Sequence, residues 1–114
     1  MTRGRAPSDA QVLRLMRAAC RALPEVVEKI AWGHPTFYAG KRMFAALDEY
    51  GGRRCVCFAS TLAEQKRLVR DSRFFVAPYS GSRGWVCLAI DARASGKEIA
   101  AFLVEAYRVV AGAR

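Results

Sequence analysis

Four cysteines and a single histidine are the residues of this chain best suited to chemistry. Cys55, Cys57 and Cys87, taken with His34, would supply a Cys₃His set of the kind that binds zinc. Their spacing argues against such a site, because Cys-x-Cys on one strand holds the two α-carbons roughly 6–7 Å apart and no Cys-x₂-Cys knuckle supports the pair. We therefore expect no metal, no cofactor and four free thiols that act as small buried hydrophobic residues.

Patterns typical of catalysis are missing from the sequence. A Cys–His nucleophile pair has no residue to orient it, since the chain contains no Asn and no cysteine signature. The acids form no pair at a defined spacing, and neither a Gly-x-Gly-x-x-Gly nor a phosphate-loop lysine motif occurs. The sequence therefore indicates a protein that is not an enzyme.

A basic surface is a stronger candidate than any catalytic group. The chain carries 19 Lys and Arg against 10 Asp and Glu, and a net charge of +9 favours polyanionic partners such as nucleic acid. Arg14, Arg17 and Arg21 fall within about 60° of one another on the first predicted helix and form a one-sided ridge. The alternatives are a solvated outer helix face and the Arg bias of a GC-rich genome, although codon bias does not explain the shortage of acids.

Aromatic and basic residues also meet at two predicted loop tips. Tyr79 and Trp85 flank a Ser/Gly loop that carries Arg83, and Lys41 and Arg42 lie at a hairpin tip. Cations there would neutralise phosphates while aromatic rings stack on exposed bases, although Trp85 is equally compatible with a role as a core anchor. With the helix ridge, these residues predict a DNA-binding protein of weak sequence selectivity. Six phosphate contacts would give log K a slope of about −5 against log salt.

Capping signals and hydrophobic periodicity predict three helices. Their N-caps are Ser8, Thr61 and Ser95, each followed three residues later by Gln or Glu. The first helix is expected to run to about Ala22 and the third to about Ala111, because apolar residues recur at a spacing of three and four over both segments. A basic, disordered arm over residues 1–7 is expected to precede them.

Short β-rich runs joined by tight turns lie between these helices. The predicted strands are Lys29–Trp32, Thr36–Ala39, Arg42–Tyr50, Arg53–Ala59, Phe74–Ala77 and Trp85–Ile90. Consecutive strands with short connections favour an antiparallel sheet. The predicted fold class is therefore α+β: a two-layer single domain over residues 8–114, mainly antiparallel, with helices on one face. Its order is one helix, three or four strands, one helix, two strands and one helix. No apolar run suits a membrane span and no signal peptide is visible, so we expect a cytoplasmic protein.

Alternation along the strands sorts their side chains into two faces. With Gly51-Gly52 as a hairpin loop, Asp48 should oppose Cys55 and Ala46 should oppose Cys57. The face expected under the helices gathers Met43, Ala45, Leu47, Val56, Phe58, Val86, Leu88 and Ile90. The other face gathers Phe44, Ala46, Asp48, Arg53, Cys55 and Cys57, joined by Trp85, Cys87 and Ala89.

The second face supports an alternative function, a protein-interaction module. It is small, fairly apolar and expected to be half-exposed, which is typical of a partner surface. A homodimer or a docked peptide would contact it around Phe44, Cys55, Cys57 and Cys87. A ligand or a terminal segment of the chain itself could also cover it.

A third interpretation is a small-molecule binder. It would require a closed cavity near Trp32, His34 and Trp85. Nothing in the order of the residues decides between this interpretation and the other two, and DNA binding remains the leading one because it also accounts for the charge.

Several short sequence elements, each present once, follow one another along the chain in an order and spacing typical of one protein family. They are Leu23-Pro24, Trp32-Gly33 with Pro35, Phe37, Gly40-Lys41, Met43-Phe44-Ala45, Phe74, Ala77-Pro78-Tyr79, Gly84-Trp85-Val86 and Tyr107. Together they resemble the MmcQ/YjbR family over roughly residues 9–111. The resemblance implies a compact cytoplasmic α+β domain, similar to the type III secretion chaperone-like fold, and DNA binding through a double wing of hairpins. It brings no catalytic residues, and Lys41 and Trp85 match its motif positions.

Overall fold

The computed structural model describes residues 5–112 and confirms the predicted α+β class and element order. The helices are α1 (Asp9–Cys20), α2 (Leu62–Leu68) and α3 (Gly96–Ala111), with a single 3₁₀ turn at Gly81–Arg83. The strands are β1 (Val26–Ala31), β2 (His34–Ala39), β3 (Arg42–Tyr50), β4 (Arg53–Phe58), β5 (Phe74–Val76) and β6 (Val86–Ala89). Residues 1–4 of the predicted N-terminal arm lie outside the described residues, and the Pro7 carbonyl accepts a hydrogen bond from Arg54.

All six strands form one antiparallel sheet in the order β1-β2-β3-β4-β6-β5. The chain passes from β4 through α2 to the edge strand β5 and then returns to insert β6 beside β4. Helices α1 and α3 pack against each other and over β3 on one face. No helix within residues 5–112 is both long and apolar enough to cross a membrane.

The predicted N-caps start the helices as expected. Ser8 accepts a hydrogen bond from the Gln11 amide while the Gln11 side chain accepts one from the Ser8 amide, which completes a capping box. Thr61 and Ser95 each accept a bond from the amide three residues on. These bonds satisfy N–H groups that have no partner inside a helix, so short polar residues at these positions fix where each helix begins.

The hairpin between β3 and β4 has the register that the sequence predicts. Gly51 and Gly52 have φ values of 58° and 81°, the left-handed conformation that a two-residue hairpin turn requires. Asp48 pairs with Cys55 and Ala46 pairs with Cys57. The turn therefore sets which side chains of β4 reach each face.

The first strand begins earlier than predicted. The predicted strand begins at Lys29, but β1 starts at Val26, which pairs with Ala39 of β2. The β-branched Val26 and Val27 suit a strand, and their ladder with β2 outweighs the local turn signal of Pro24. The chain reverses at Trp32 and Gly33, which have φ values of 52° and 81°.

A β-bulge in β3 corrects the predicted placement of two residues. Phe37 pairs with Ala45 and Tyr38 pairs with Met43, so no residue of β2 lies opposite Phe44. The extra residue reverses the alternation, so Phe44 lies in the helix-covered core, with its ring 5.6 Å edge-on from that of Tyr107. Met43 points to the opposite face. Phe44 is therefore not part of the face where a homodimer was expected.

The helix-covered face holds the main hydrophobic core. Its fully buried members include Val12, Met16, Phe37, Phe44, Val56, Phe58, Leu88, Ile99 and Leu103. Phe58 stacks on Phe102 of α3 with ring centroids 4.8 Å apart. Large side chains thus fill the space between the centre of the sheet and the two helices.

Candidate functional site

The sheet face opposite α1 and α3 carries an open cleft of about 620 Å³. We call it the aromatic cleft, because Trp32, Tyr79 and Trp85 stand around it. Its other lining residues are Ala31, His34, Thr36, Met43, Ala46, Asp48, Glu49, Tyr50, Cys57, Pro78, Ser80 and Arg83. The small-molecule interpretation requires a closed cavity near Trp32, His34 and Trp85. These three residues line the aromatic cleft, which is open on one side.

Two aromatic residues at the rim of the aromatic cleft are held in an unusual backbone conformation. Trp32 has φ 52° and Tyr79 has φ 68°, and their side chains are 85% and 97% exposed. Within residues 5–112 the only other non-glycine residue with positive φ is Glu25. Left-handed backbone is unfavourable for bulky residues. At Trp32 the two-residue turn between β1 and β2 imposes it, and in both residues it turns the ring out at the rim. These two exposed rings are therefore candidates for ligand contact.

A polar group forms part of the cleft wall. Asp48 accepts a hydrogen bond from the Tyr50 hydroxyl at 3.0 Å, and its other carboxylate oxygen lies 3.0 Å from His34 Nε2. Burial and the neighbouring Asp48 raise the pKa of Tyr50, so its hydroxyl stays protonated and donates. His34 is in position because a residue before proline adopts extended backbone, here at the start of β2. This group offers a ligand both donors and acceptors.

Hydrogen bonds from outside the β5–β6 loop fix its shape. The Gln65 side chain of α2 donates to the carbonyls of Gly81 and Trp85, at 2.8 and 2.7 Å. The Ser60 hydroxyl donates to the Gly84 carbonyl. Gly84 has φ 98°, and a Cβ on it would lie 2.3 Å from the Ser60 carbonyl oxygen, so only glycine fits. Arg83 and Trp85 on either side of Gly84 are therefore held in place.

A second hollow, of about 690 Å³, adjoins the aromatic cleft, and we call it the basic groove. Lys41, Arg42 and Arg83 line it, together with Tyr38, Met43, Ala59, Ser60, Trp85, Val109 and Val110. No Asp or Glu is among these residues. Met43, Arg83 and Trp85 line both hollows. The structure thus brings together four of the predicted nucleic-acid contacts, Lys41, Arg42, Arg83 and Trp85, with Tyr79 in the adjoining aromatic cleft.

The arginines of α1 do not join the basic groove. No residue of α1 lines the basic groove, whose helical lining comes from Val109 and Val110 of α3. Arg17 donates two hydrogen bonds of 2.8 Å to Glu28 of β1, and this partner lowers the pKa of the Glu28 carboxyl. Arg14 and Arg21 are exposed and form no ion pair within residues 5–112. The predicted contacts therefore fall on two separate surfaces.

Acids neutralise many of the other cations. Ion pairs join Arg54 to Asp9, Arg67 to Glu64, Arg73 to Asp71 and Glu98, Arg93 to Asp91 and Arg108 to Glu105. The three cations of the basic groove have no ion-pair partner among residues 5–112. Its positive charge is therefore available to an anion from outside the chain.

The comparisons with known proteins bear on this geometry. Residues 21–109 match the sequence profile of the YjbR family. The chain belongs to the YjbR family. The match confirms the family that the sequence resembles, while no curated protein and no solved structure matches the chain.

In this YjbR protein, the elements that carry the family resemblance converge on two places. Trp32, Tyr79 and Trp85 surround the aromatic cleft, and Lys41 lines the basic groove. On the other side of the sheet, the Tyr107 hydroxyl of α3 donates a hydrogen bond of 2.7 Å to the Pro24 carbonyl, which ties the last helix to the entry of β1. The first group borders the candidate site, and the second stabilises the fold that holds it.

Three cysteines form a compact cluster beneath the aromatic cleft. Cys55, Cys57 and Cys87 are at most 2% exposed, because Tyr50, Phe75 and Trp85 pack against them. The prediction of free, buried thiols is confirmed, whereas the sheet face around them was expected to be half-exposed and is covered here by the chain's own aromatic side chains. The spacing of Cys55 and Cys57 does not reveal this cover, since Phe75 belongs to β5 and Trp85 directly precedes β6.

Proposed function

We propose that this YjbR protein binds single-stranded DNA in the cytoplasm without catalysing a reaction, with phosphates in the basic groove and an unpaired base in the aromatic cleft. The observation that carries the proposal is the composition of the basic groove: three unpaired cations, two aromatic residues and no acid. Phosphates require such a surface, and single strands add bases that stack on aromatic rings.

Arg83 is the residue that would connect the two halves of the site. It lines both hollows, so its guanidinium can contact a phosphate while the attached nucleotide reaches into the aromatic cleft. Lys41 and Arg42 lie along the groove and would contact neighbouring phosphates. Because these contacts carry no information on sequence, we expect weak selectivity among DNA sequences.

The aromatic cleft would hold the base. Tyr79 and Trp32 are exposed rings at its rim, and stacking on such rings contributes about 1–3 kcal/mol per base. His34 and Asp48 in the wall supply a donor and an acceptor for the edge of a base. The cleft is open on one side, which suits a base that remains attached to a strand.

The salt dependence of binding distinguishes the basic groove from the α1 arginines. Three phosphate contacts on a single strand predict a slope of log K against log salt of about −2, whereas adding Arg14, Arg17 and Arg21 would steepen it to about −4. We expect the shallower slope, since Arg17 already bonds Glu28 and α1 lies on the other side of the sheet. Fluorescence titration of a labelled oligonucleotide at several salt concentrations measures it.

Arg83→Ala tests the proposed contact, and Arg70→Ala is its matched control. Arg70 is exposed, unpaired within residues 5–112 and outside both hollows. We expect Arg83→Ala to weaken binding by about tenfold and to reduce the salt slope, as for the loss of one charged hydrogen-bonding contact, while Arg70→Ala binds almost normally. Equal losses in the two variants, or no binding by the unmodified protein at low salt, would contradict the proposal.

A second candidate function, a protein-interaction module, is favoured by the edge strand β1. Among residues 5–112 no strand pairs with its outer side, and Ile30 and Trp32 near its end are 67% and 85% exposed. Exposed edges of this kind pair with strands of another chain. Mass measurement after size exclusion at low and high salt tests this, because an apolar strand-pairing contact survives salt and a phosphate contact does not.

A further inference from the structure

The cysteine cluster has the geometry of a ligand set. The Sγ atoms of Cys55, Cys57 and Cys87 all lie within 4.8 Å of one another, with 3.5 Å between the first two and 2.7 Å between the last two. Three buried thiols at such distances are uncommon in a core, where cysteine normally serves as an isolated small hydrophobic residue. Their convergence requires an explanation beyond packing.

The antiparallel ladder explains why the three sulfurs meet. The Ile90 amide donates to the Arg54 carbonyl, so these two residues form a hydrogen-bonded pair. Along β4 and β6, non-hydrogen-bonded and hydrogen-bonded pairs then alternate from this pair onward. Cys57 and Cys87 consequently form a non-hydrogen-bonded pair, the kind whose α-carbons approach to about 4.5 Å. Cys55 lies two residues before Cys57 on the same strand and therefore points to the same face.

The surroundings of the cluster define its coordination number. Within residues 5–112, no His, Asp or Glu side chain joins the three sulfurs closely enough to act as a fourth ligand. His34, the fourth member of the set considered from sequence, lies against Asp48 instead. Tyr50, Phe75 and Trp85 pack around the sulfurs, and the Asp48 carbonyl oxygen, 3.7 Å from the Cys55 sulfur, accepts its S–H hydrogen bond. The side-chain ligands that converge are therefore the three thiols.

We propose that Cys55, Cys57 and Cys87 bind one Cu(I) ion in a three-coordinate thiolate site. Thiolate is a soft ligand and selects soft cations, of which Cu(I) accepts three sulfur ligands without a fourth. Zinc in a structural site is almost always four-coordinate, and the described residues supply only three side-chain ligands. The ion replaces the thiol protons, which leave to solvent, and no oxidant or reductant takes part.

Binding requires only a small movement of the side chains. Metal–sulfur bonds of about 2.3 Å at the corners of a triangle place the sulfurs about 4.0 Å apart, so the Cys57 and Cys87 sulfurs would separate by rotation about their Cα–Cβ bonds. Cys57 lines the aromatic cleft and gives the ion a path of entry. The Arg53 guanidinium lies 4.4 Å from the centre of the Phe75 ring, beside the cluster, and offsets part of the added negative charge.

The test uses the reduced, full-length protein under anaerobic conditions. Cu(I) is supplied as a complex with a coloured competing chelator, and we expect the protein to remove one ion per chain. Cys55→Ser, Cys57→Ser and Cys87→Ser should each weaken binding by more than about 100-fold, because each removes a direct ligand. Cys20→Ser is the matched control: Cys20 is also a buried free thiol but lies in the helix-covered core, so its removal should leave binding unchanged.

X-ray absorption on the unmodified protein gives a readout that does not depend on whether a variant folds. Three sulfur neighbours with no nitrogen or oxygen would support the assignment. A coordination shell with nitrogen, tighter retention of Zn(II) than of Cu(I), or no copper uptake by the reduced protein would overturn it. Isolation of the reduced preparation with a Cys57–Cys87 disulfide in place of a metal site would also overturn it.

Discussion

The two faces of the sheet differ in the size of the side chains that they carry. The helix-covered face presents Phe37, Phe44 and Phe58, which interlock with α3 and leave no open space. The cleft face presents Ala46, Cys57 and Cys87 at neighbouring positions of adjacent strands. Small residues do not fill the space above a sheet, so loops and aromatic rings from the periphery enclose a hollow there. Residue size thus decides which face becomes core and which becomes a site.

Two of the three non-glycine residues with positive φ among residues 5–112 border the cleft, and the third, Glu25, precedes β1. The helix-covered face is built from regular strands and capped helices, apart from the bulge at Phe44. The cleft is bordered by Trp32 and Tyr79, both in the left-handed conformation. Strain of this kind costs stability and persists only where the surrounding structure enforces it. We therefore expect most of the stability to come from the helix-covered face and the proposed ligand contacts to lie on the cleft face.

The largest expected effect comes from removing an aromatic side chain from each face. Phe58→Ala should reduce the free energy of unfolding by about 3–5 kcal/mol, because it empties a fully packed position against Phe102. Phe75→Ala is the matched change on the cleft face, where the ring is only half-buried, and should cost about 1–2 kcal/mol. Urea unfolding of both variants measures the two losses. Equal losses would mean that the cleft face contributes as much to stability as the helix-covered face.

A smaller effect is expected from Gly84→Ala, which tests how rigidly the cleft loop is held. The new Cβ would meet the Ser60 carbonyl oxygen, and the left-handed backbone alone costs about 1–3 kcal/mol for a residue other than glycine. Gly52→Ala is the control, since Gly52 has φ 81° but open space around it. Urea unfolding should show a greater loss for Gly84→Ala, and DNA affinity should fall only in that variant, because Arg83 and Trp85 shift with the loop.

Equal losses of stability in Gly84→Ala and Gly52→Ala would show that the left-handed backbone accounts for the whole cost in both variants. The loop would then move to relieve the contact between the new methyl group and Ser60. In that case Arg83 is not fixed by the approach to Ser60, and the affinity of Gly84→Ala for DNA would be unchanged. The measurement therefore decides whether the cleft face is rigid or adjusts to its ligand.

Much of the fold could be predicted from the sequence because local rules determine it. The N-caps at Ser8, Thr61 and Ser95 and the turn at Gly51-Gly52 each depend on a few neighbouring residues. Once the turn is known, the strict alternation of a strand fixes the register of β3 against β4. These predictions are confirmed for that reason.

The features that the sequence does not predict depend on contacts between residues that are far apart in sequence. The bulge at Phe44 has no local signal, since alternation continues unbroken through Met43 and Phe44 in the sequence. The argument against a cysteine site considered only the spacing of Cys55 and Cys57, whereas Cys87 reaches them across a strand pairing. Likewise, the charge of Arg17 gives no indication that Glu28 of β1 will neutralise it.

That Arg17–Glu28 ion pair gives the smallest expected effect and tests the rim of the helix-covered face. Its hydrogen bonds lower the pKa of Glu28 in the folded protein, so the pair stabilises the fold above the unfolded pKa of about 4.3. This contribution is lost as the pH falls through the lower, folded value. Exposed pairs are screened by solvent, so Arg17→Gln should reduce stability at pH 7 less than either preceding substitution.

The difference between Arg17→Gln and the unmodified protein should be smaller at pH 3 than at pH 7, because the contribution of the pair declines once the pH falls below the unfolded pKa of Glu28. Arg14→Gln, on the same helix and without an ion pair within residues 5–112, should show no such pH dependence. Urea unfolding at pH 7 and pH 3 measures both variants. If Arg14→Gln showed the same pH-dependent loss as Arg17→Gln, the bond between Arg17 and Glu28 would not be its source.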